Sequence, residues 1–166
     1  MSVALIVLVG GTLVAAAIDL RTRRIPNALT ATMALAAVGL HLADGVAASL
    51  IVLAVMLVSF ALGALAFSAG WLGGGDVKLV AAACGLASYP GCLALVLAIS
   101  IAGAVLALAQ AVRQRRLGSI IRSASLLALT GAIPQTRTLL PYGVAIAGGS
   151  TAYAFSTLHF LMRLPQ

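Results

Sequence analysis

Acidic residues are almost missing from this chain of 166 amino acids. It contains no glutamate and only three aspartates, which are Asp19, Asp44 and Asp76. The chain therefore cannot build a metal site that depends on glutamate. Because ionisable groups are costly in an apolar protein and are commonly kept for function, the aspartates are the first candidates for chemistry.

Charge of either sign is scarce, and so are the patterns that bind metals. Hydrophobic residues make up 63% of the chain and charged residues 8%, with a mean hydropathy of +1.18. This composition excludes a soluble globular domain and predicts an integral membrane protein. The two cysteines form no CxxC pair, and no HExxH or Cys/His cluster occurs. We therefore predict neither a metal site nor another cofactor.

The cysteines flank a short turn around residues 89–91. We interpret Cys84 and Cys92 as small packing residues. A disulfide across the turn is the alternative if that side of the membrane is oxidising.

Long apolar stretches fill most of the chain. A helix needs about 20 residues to cross about 30 Å of hydrocarbon. Candidate spans lie near residues 3–19, 28–43, 46–69, 77–89, 91–112 and 139–162. The fourth stretch is short and contains glycine, so a chain with five spans is the alternative. We predict an all-α polytopic membrane protein with about six transmembrane helices, formed as a single domain over residues 1–166.

Basic residues collect at alternate junctions between these stretches. If the N-terminus is outside, nine of the ten basic residues lie on the cytoplasmic side and only Arg163 lies outside. Because cytoplasmic loops retain Lys and Arg, we predict this orientation, with Asp19 and Asp76 at the cytoplasmic face and Asp44 at the outer one. The net charge of +7 then reflects topology. The basic residues are dispersed without interleaved aromatics, so no nucleic-acid partner is predicted.

The first cytoplasmic junction runs from Asp19 to Asn27. Pro26 has no N–H to donate and must end the helical pattern, so Asn27 is a candidate N-cap for the second span. Asp19 is then left on the last turn of the first helix, where water meets the bilayer. The alternative is that Asp19 only balances the neighbouring arginines.

The second junction reads Trp-Leu-Gly-Gly-Gly-Asp-Val-Lys over residues 71–78. Gly73, Gly74 and Gly75 permit backbone conformations and close approaches that other residues cannot make, so a substrate could pass next to Asp76. Alternatively, Asp76 only caps the fourth helix. Lys78 is interpreted as a membrane-surface anchor, with a role in the site as the second interpretation.

Two aspartates on one face of a helical bundle can couple their titrations, so that one is ionised and the other protonated. This is the arrangement of an aspartyl protease, in which the ionised member activates water and the protonated member hydrogen-bonds the scissile carbonyl. No other pair of acids in the chain could do this from one side.

At these residues the chain resembles the type IV prepilin peptidases, which are membrane aspartyl proteases of the GxGD class. The resemblance rests on Asp-Leu-x-x-x-x-Ile-Pro-Asn at residues 19–27, on Gly-Gly-Gly-Asp-Val-Lys at 73–78, and on Pro-Tyr-Gly-Val-Ala-Ile-Ala at 141–147. It implies that Asp19 and Asp76 are catalytic and that Gly73, Gly74 and Gly75 form a loop that lets substrate approach. Pro26, Asn27 and Lys78 are candidate auxiliary residues.

The resemblance also implies a substrate and a location. The family removes the short basic leader from prepilins and pseudopilins at the cytoplasmic face of the bacterial inner membrane, so we expect a multi-pass inner-membrane protein. Expected partners are the prepilin, the lipid bilayer and the pilus assembly or secretion machinery. Larger members carry a cysteine-containing module near the first helix and methylate the new N-terminus. We expect neither here, and the short build is similar to the peptidases of tight-adherence (Flp) pilus systems.

Two further interpretations follow from the sequence. A small proton- or cation-coupled transporter or channel subunit would also use membrane acids, but it would favour acids near mid-bilayer. Serine chemistry lacks a suitable nucleophile near either histidine. Residues 119–133, between the fifth and last spans, are expected to form an interfacial or re-entrant helix that could flank the substrate channel. The alternative is a solvated cytoplasmic loop that lies on lipid.

Overall fold

The computed structural model describes residues 3–113 and 142–163, and each regular element in those ranges is an α-helix. We label these helices α1 to α6 in chain order. Their bounds are Val3–Thr22, Asn27–Leu42, Val46–Ser68, Gly74–Ala87, Gly91–Arg113 and Tyr142–Met162. Each lies within a few residues of a predicted apolar stretch, so the all-α prediction is confirmed for the described residues. The interfacial helix expected at 119–133 lies outside them.

Three of the helices, α1, α3 and α5, are long and apolar enough to cross a membrane, and α2 is a shorter apolar helix. On α3, large apolar side chains such as Leu50, Leu57, Phe60 and Leu65 are exposed on the surface of the chain. Such a surface is typical of a helix that contacts lipid. That the chain crosses the membrane six times, with its N-terminus outside, stays a prediction.

The short helix α4 lies at the centre of the bundle and packs against all five other described helices. Its residues from Ala81 to Leu86 are all buried. Small side chains allow this, because they let neighbouring backbones approach closely. A Cβ added at Gly85 would lie 2.6 Å from Met56 on α3 and 3.2 Å from Ala37 on α2. The fourth apolar stretch is shorter than a membrane span, and it corresponds to α4, a helix surrounded by the other described helices.

The last described helix packs along α1 and α5. At Gly149 there is no room for a side chain, because a Cβ there would meet the backbone of Ile99 on α5. Ala145 and Ile146 of the same helix are buried. The Gly149 contact joins α6 to α5, and Gly143 joins the start of α6 to Asp19 at the end of α1.

Contacts between helix termini define one end of the bundle, which we call the polar end. It is formed by the last turns of α1, α3 and α5 and the first turns of α2, α4 and α6. Contacts of Gly75 with Ile25, of Gly74 with Phe67 and of Gly143 with Asp19 bring most of these turns together. The junction that follows Asp19 and the junction that precedes Asp76 therefore meet at one end of the molecule.

The expected cap at Asn27 is wrong, whereas the interpretation of the two cysteines as packing residues is confirmed. Asn27 does not cap α2, because Pro26 occupies the N-cap position and Asn27 is already the first helical residue. Asp44 does not cap α3, because the chain turns through Gly45, whose φ of 115° favours glycine, and no side chain caps that helix. Cys84 and Cys92 are both buried free thiols, so they are packing residues and not a disulfide.

Candidate active site

Asp19 lies on the last turn of α1 and is buried, with 9% of its surface exposed. Its Oδ2 atom accepts a hydrogen bond of 3.1 Å from the backbone N–H of Gly143, at the start of α6. A buried carboxylate needs such donors, because water no longer solvates it. This partner is a backbone group and not an arginine, which argues against the interpretation of Asp19 as a simple counter-charge.

Asp76 lies in the first turn of α4 and is partly buried. Its Oδ2 atom accepts a hydrogen bond of 3.2 Å from the N–H of Gly73, the N-cap residue. This is one half of a capping box, since glycine has no side chain to return the bond. Asp76 therefore does cap the start of α4, as the alternative interpretation predicts.

Capping does not account for the electrostatics of Asp76. Burial raises the pKa of this carboxyl, and the negative charge of Asp19 raises it further, to about 6, against the lowering effect of the Gly73 N–H. The second cause requires that Asp19 and Asp76 lie near each other in a medium that screens charge poorly. The structure thus places the two aspartates, which come from different helices, at one site.

The three glycines do not form a separate loop before α4, because Gly73 is its N-cap residue and Gly74 and Gly75 belong to its first turn. Each glycine has a distinct neighbour. A Cβ at Gly73 would lie 2.7 Å from Oδ2 of Asp76, and one at Gly75 would lie 3.2 Å from the Cβ of Ile25. A Cβ at Gly74 would make only an ordinary contact of 3.7 Å with Phe67. Gly73 therefore leaves room for the carboxylate of Asp76, and Gly75 leaves room for the junction between α1 and α2.

The auxiliary residues lie at the same end of the bundle, and within the described ranges the hydrogen bonds of the aspartates go to Gly73 and Gly143 instead. Lys78 donates a hydrogen bond of 2.9 Å to Oδ1 of Asn27, and both side chains are exposed. Pro26 serves as the N-cap residue of α2 with an extended backbone. Its role is to end the junction, as the sequence predicts.

One residue of the site was missed. Gly143 belongs to the stretch 141–147 that carries the family resemblance, yet nothing in the sequence alone assigns it a partner. A Cβ at this position would lie 2.9 Å from the Cβ of Asp19, so only glycine lets the backbone N–H reach the carboxylate. Pro141, which precedes this helix, lies outside the described residues.

Among residues 3–113 and 142–163, no group of three or more His, Cys, Asp or Glu side chains could hold a metal ion. The candidate site consists of two carboxyl groups and the backbone N–H groups that bond to them. A carboxyl that retains its proton beside one that is ionised can donate one proton and accept another.

Comparison with known proteins identifies a family for this chain. No curated protein and no solved structure matches the chain. The model of the type IV leader peptidase family matches residues 6–108, a range that includes both Asp19 and Asp76 and more than half of the sequence. The chain belongs to the type IV leader peptidase family.

Proposed function

We propose that this protein is an aspartyl endopeptidase that removes the leader peptide of type IV prepilins or pseudopilins, with Asp19 and Asp76 as its catalytic pair. The observation that carries the proposal is the charge coupling of these carboxyls. The proton affinity of Asp76 is raised both by burial and by Asp19, which sets up a pair that shares one proton.

The surroundings of the two carboxyls favour a division of roles. Asp19 accepts a hydrogen bond from the backbone N–H of Gly143, so one of its carboxylate oxygens already acts as an acceptor. The pKa of Asp76 is raised to about 6, so this carboxyl keeps its proton to a higher pH than an ordinary aspartate does. We therefore assign Asp19 as the general base and Asp76 as the general acid.

The reaction follows from these roles. A water molecule attacks the scissile carbonyl carbon while ionised Asp19 takes one of its protons, and Asp76 donates a hydrogen bond to the carbonyl oxygen. When the C–N bond breaks, a proton passes to the departing amine. Water is thereby divided between the new carboxyl and the new amine, and the pair returns to one shared proton.

The substrate follows from the family and from the position of the site. Both aspartates lie at the polar end of a bundle whose α1, α3 and α5 are long and apolar enough to cross a membrane. A prepilin has an apolar helix that can lie in the bilayer beside the enzyme and a basic leader at the membrane surface. We assign the polar end to the cytoplasmic face of the bacterial inner membrane, where leader, lipid and pilus or secretion machinery meet.

A cleavage assay in liposomes, with a prepilin as substrate, tests this function. Asp19→Asn and Asp76→Asn keep size and polarity but remove the titratable proton, so each is expected to abolish cleavage. Asp44→Asn is the matched control, because Asp44 is exposed in the turn at the opposite end of α2. All three variants should insert and melt as folded proteins.

Full cleavage by either Asp19→Asn or Asp76→Asn would overturn the catalytic pair. A wild-type protein that cleaves no prepilin would overturn the substrate assignment. The transporter alternative gains no support from the family, and both aspartates lie at helix ends rather than at mid-helix.

A further inference from the structure

We propose that Lys78 and Asn27 form a positioning pair, which we call the clasp, between α4 and α2. The clasp holds the glycine turn, residues 73–75 at the start of α4, against the junction that follows Asp19. The inference rests on the proposed peptidase function and adds two residues to it that do not themselves react. Its basis is the hydrogen bond of 2.9 Å from Nζ of Lys78 to Oδ1 of Asn27, which joins positions 51 residues apart.

Neither side chain stabilises the helix to which it belongs. Asn27 is the first residue of α2, yet it makes no capping bond, and Pro26 takes the N-cap position. Lys78 lies in the second turn of α4, toward the N-terminus of the helix, where a positive charge gains nothing from the helix dipole. Local helix stability therefore explains neither residue, whereas their contact with each other does.

The geometry of α4 separates the clasp from the catalytic group. Asp76 and Lys78 are two residues apart on a helix with 3.6 residues per turn, so their side chains leave on nearly opposite faces. Asp76 lies near Asp19 of α1, and Lys78 binds the start of α2. The first turn of α4 is thus held from both sides.

A second contact, at Gly75, joins the start of α4 to the junction between α1 and α2. The space left by the missing side chain of Gly75 is taken by Ile25, two residues before Asn27. Ile25 packs against the buried core of the bundle. The junction between α1 and α2 therefore touches the glycine turn at Gly75 and again at Lys78, which limits how far Asp76 can move relative to Asp19.

An exposed hydrogen bond adds little to overall stability, so its loss should alter position more than folding. Misplacing a reacting group by about 1 Å can slow a reaction by about 100-fold. We therefore expect Lys78→Met and Asn27→Ala each to lower kcat by about 10-fold or more, with KM changed by less than about 3-fold. Melting temperatures should stay close to that of the wild type.

A double-mutant cycle separates the clasp from other roles. If the two side chains act only through each other, Lys78→Met combined with Asn27→Ala should be no slower than either single variant. Lys78→Arg keeps a donor and Asn27→Asp keeps an acceptor, so each should retain most of the wild-type kcat. Arg113→Met removes another exposed cation from the polar end and should cleave at the wild-type rate.

Several outcomes would overturn the clasp. If Asn27→Ala cleaves normally while Lys78→Met does not, Lys78 acts on substrate or lipid directly. Losses that multiply in the double variant, or that appear in KM alone, would likewise exclude a shared positioning role. If Arg113→Met is as slow as Lys78→Met, the effect is one of net charge.

The same assay distinguishes failure of the clasp from failure of the proposed function. The clasp alone fails if wild-type protein cleaves prepilin, Asp19→Asn and Asp76→Asn do not, and both clasp variants keep the wild-type kcat. If wild-type protein cleaves no prepilin, the peptidase function fails, and the clasp falls with it.

Discussion

The backbone N–H of Gly143 donates a hydrogen bond of 3.1 Å to Oδ2 of Asp19, across 124 positions of sequence. Through this bond the last described helix holds a carboxyl that belongs to the first. The bond needs a residue without a side chain, because a Cβ at position 143 would lie 3.0 Å from the accepting oxygen.

Gly143→Ala tests the importance of that contact. The added methyl group must push Asp19 away, since it meets the Cβ of Asp19, which side-chain rotation cannot move, as well as the carboxylate. We expect cleavage to fall by about 10- to 100-fold, as reacting groups are displaced by a fraction of an ångström to 1 Å. The measurement is kcat/KM in liposomes.

Gly148→Ala is the control on the same helix. A Cβ there would make only an ordinary contact of 3.8 Å with Ala102, so cleavage should be unchanged. Equal activity of Gly143→Ala and Gly148→Ala would show that the bond to Asp19 is dispensable.

The pH dependence of cleavage follows from Asp76. The pKa of this carboxyl is raised to about 6, and the proposed general acid must carry its proton. We expect kcat/KM, which reports the free enzyme, to fall about tenfold per pH unit as the pH rises above about 6. The assay must use a substrate that has no group titrating between pH 5 and 8 near the cleavage site, so that the profile reports the enzyme. A rate that stays flat from pH 5 to pH 9 would contradict the assignment of Asp76 as the acid.

Asp76→Asn should stabilise the fold at neutral pH. A carboxyl whose pKa is raised in the folded state is most favourable when protonated, so its contribution is fully present below pH 3.8 and is lost as the pH rises through about 6. An amide at this position avoids the loss. One pKa unit corresponds to about 1.4 kcal/mol, so the gain at pH 7.5 is at most about 3 kcal/mol.

Thermal unfolding in detergent measures this gain. The difference between Asp76→Asn and wild type should be positive at pH 7.5 and should shrink toward pH 4. Asp44→Asn, at an exposed turn, should show no such pH-dependent difference. An Asp76→Asn variant that is less stable than wild type at pH 7.5 would mean that the bond to Gly73 outweighs the cost of the buried charge.

The helices were predictable because apolar length, Pro26 and the glycines mark their ends. The pairing of Asp19 with Asp76 was also predictable in outline, since both lie at junctions on one side of the chain. The bond from Gly143 was not, because a backbone donor carries no side-chain signal. The bond between Lys78 and Asn27 was missed for another reason, namely that each residue has an adequate local interpretation as an anchor or a cap.

The central claim is that Asp19 and Asp76 are electrostatically coupled, and the scarcity of acids makes this directly measurable. Protein labelled with ¹³C at the aspartate carboxyl carbons has three side-chain signals, because the chain has three aspartates and no glutamate. Titration by NMR in detergent micelles is the measurement, with Asp76→Asn and Asp44→Asn used to assign the signals. We predict that Asp76 titrates near pH 6 in the wild type. Asp19→Asn should lower the pKa of Asp76 but leave it above 3.8, because burial remains the larger cause. An Asp76 signal that titrates at the same pH with and without Asp19 would contradict the coupling, and with it the catalytic pair.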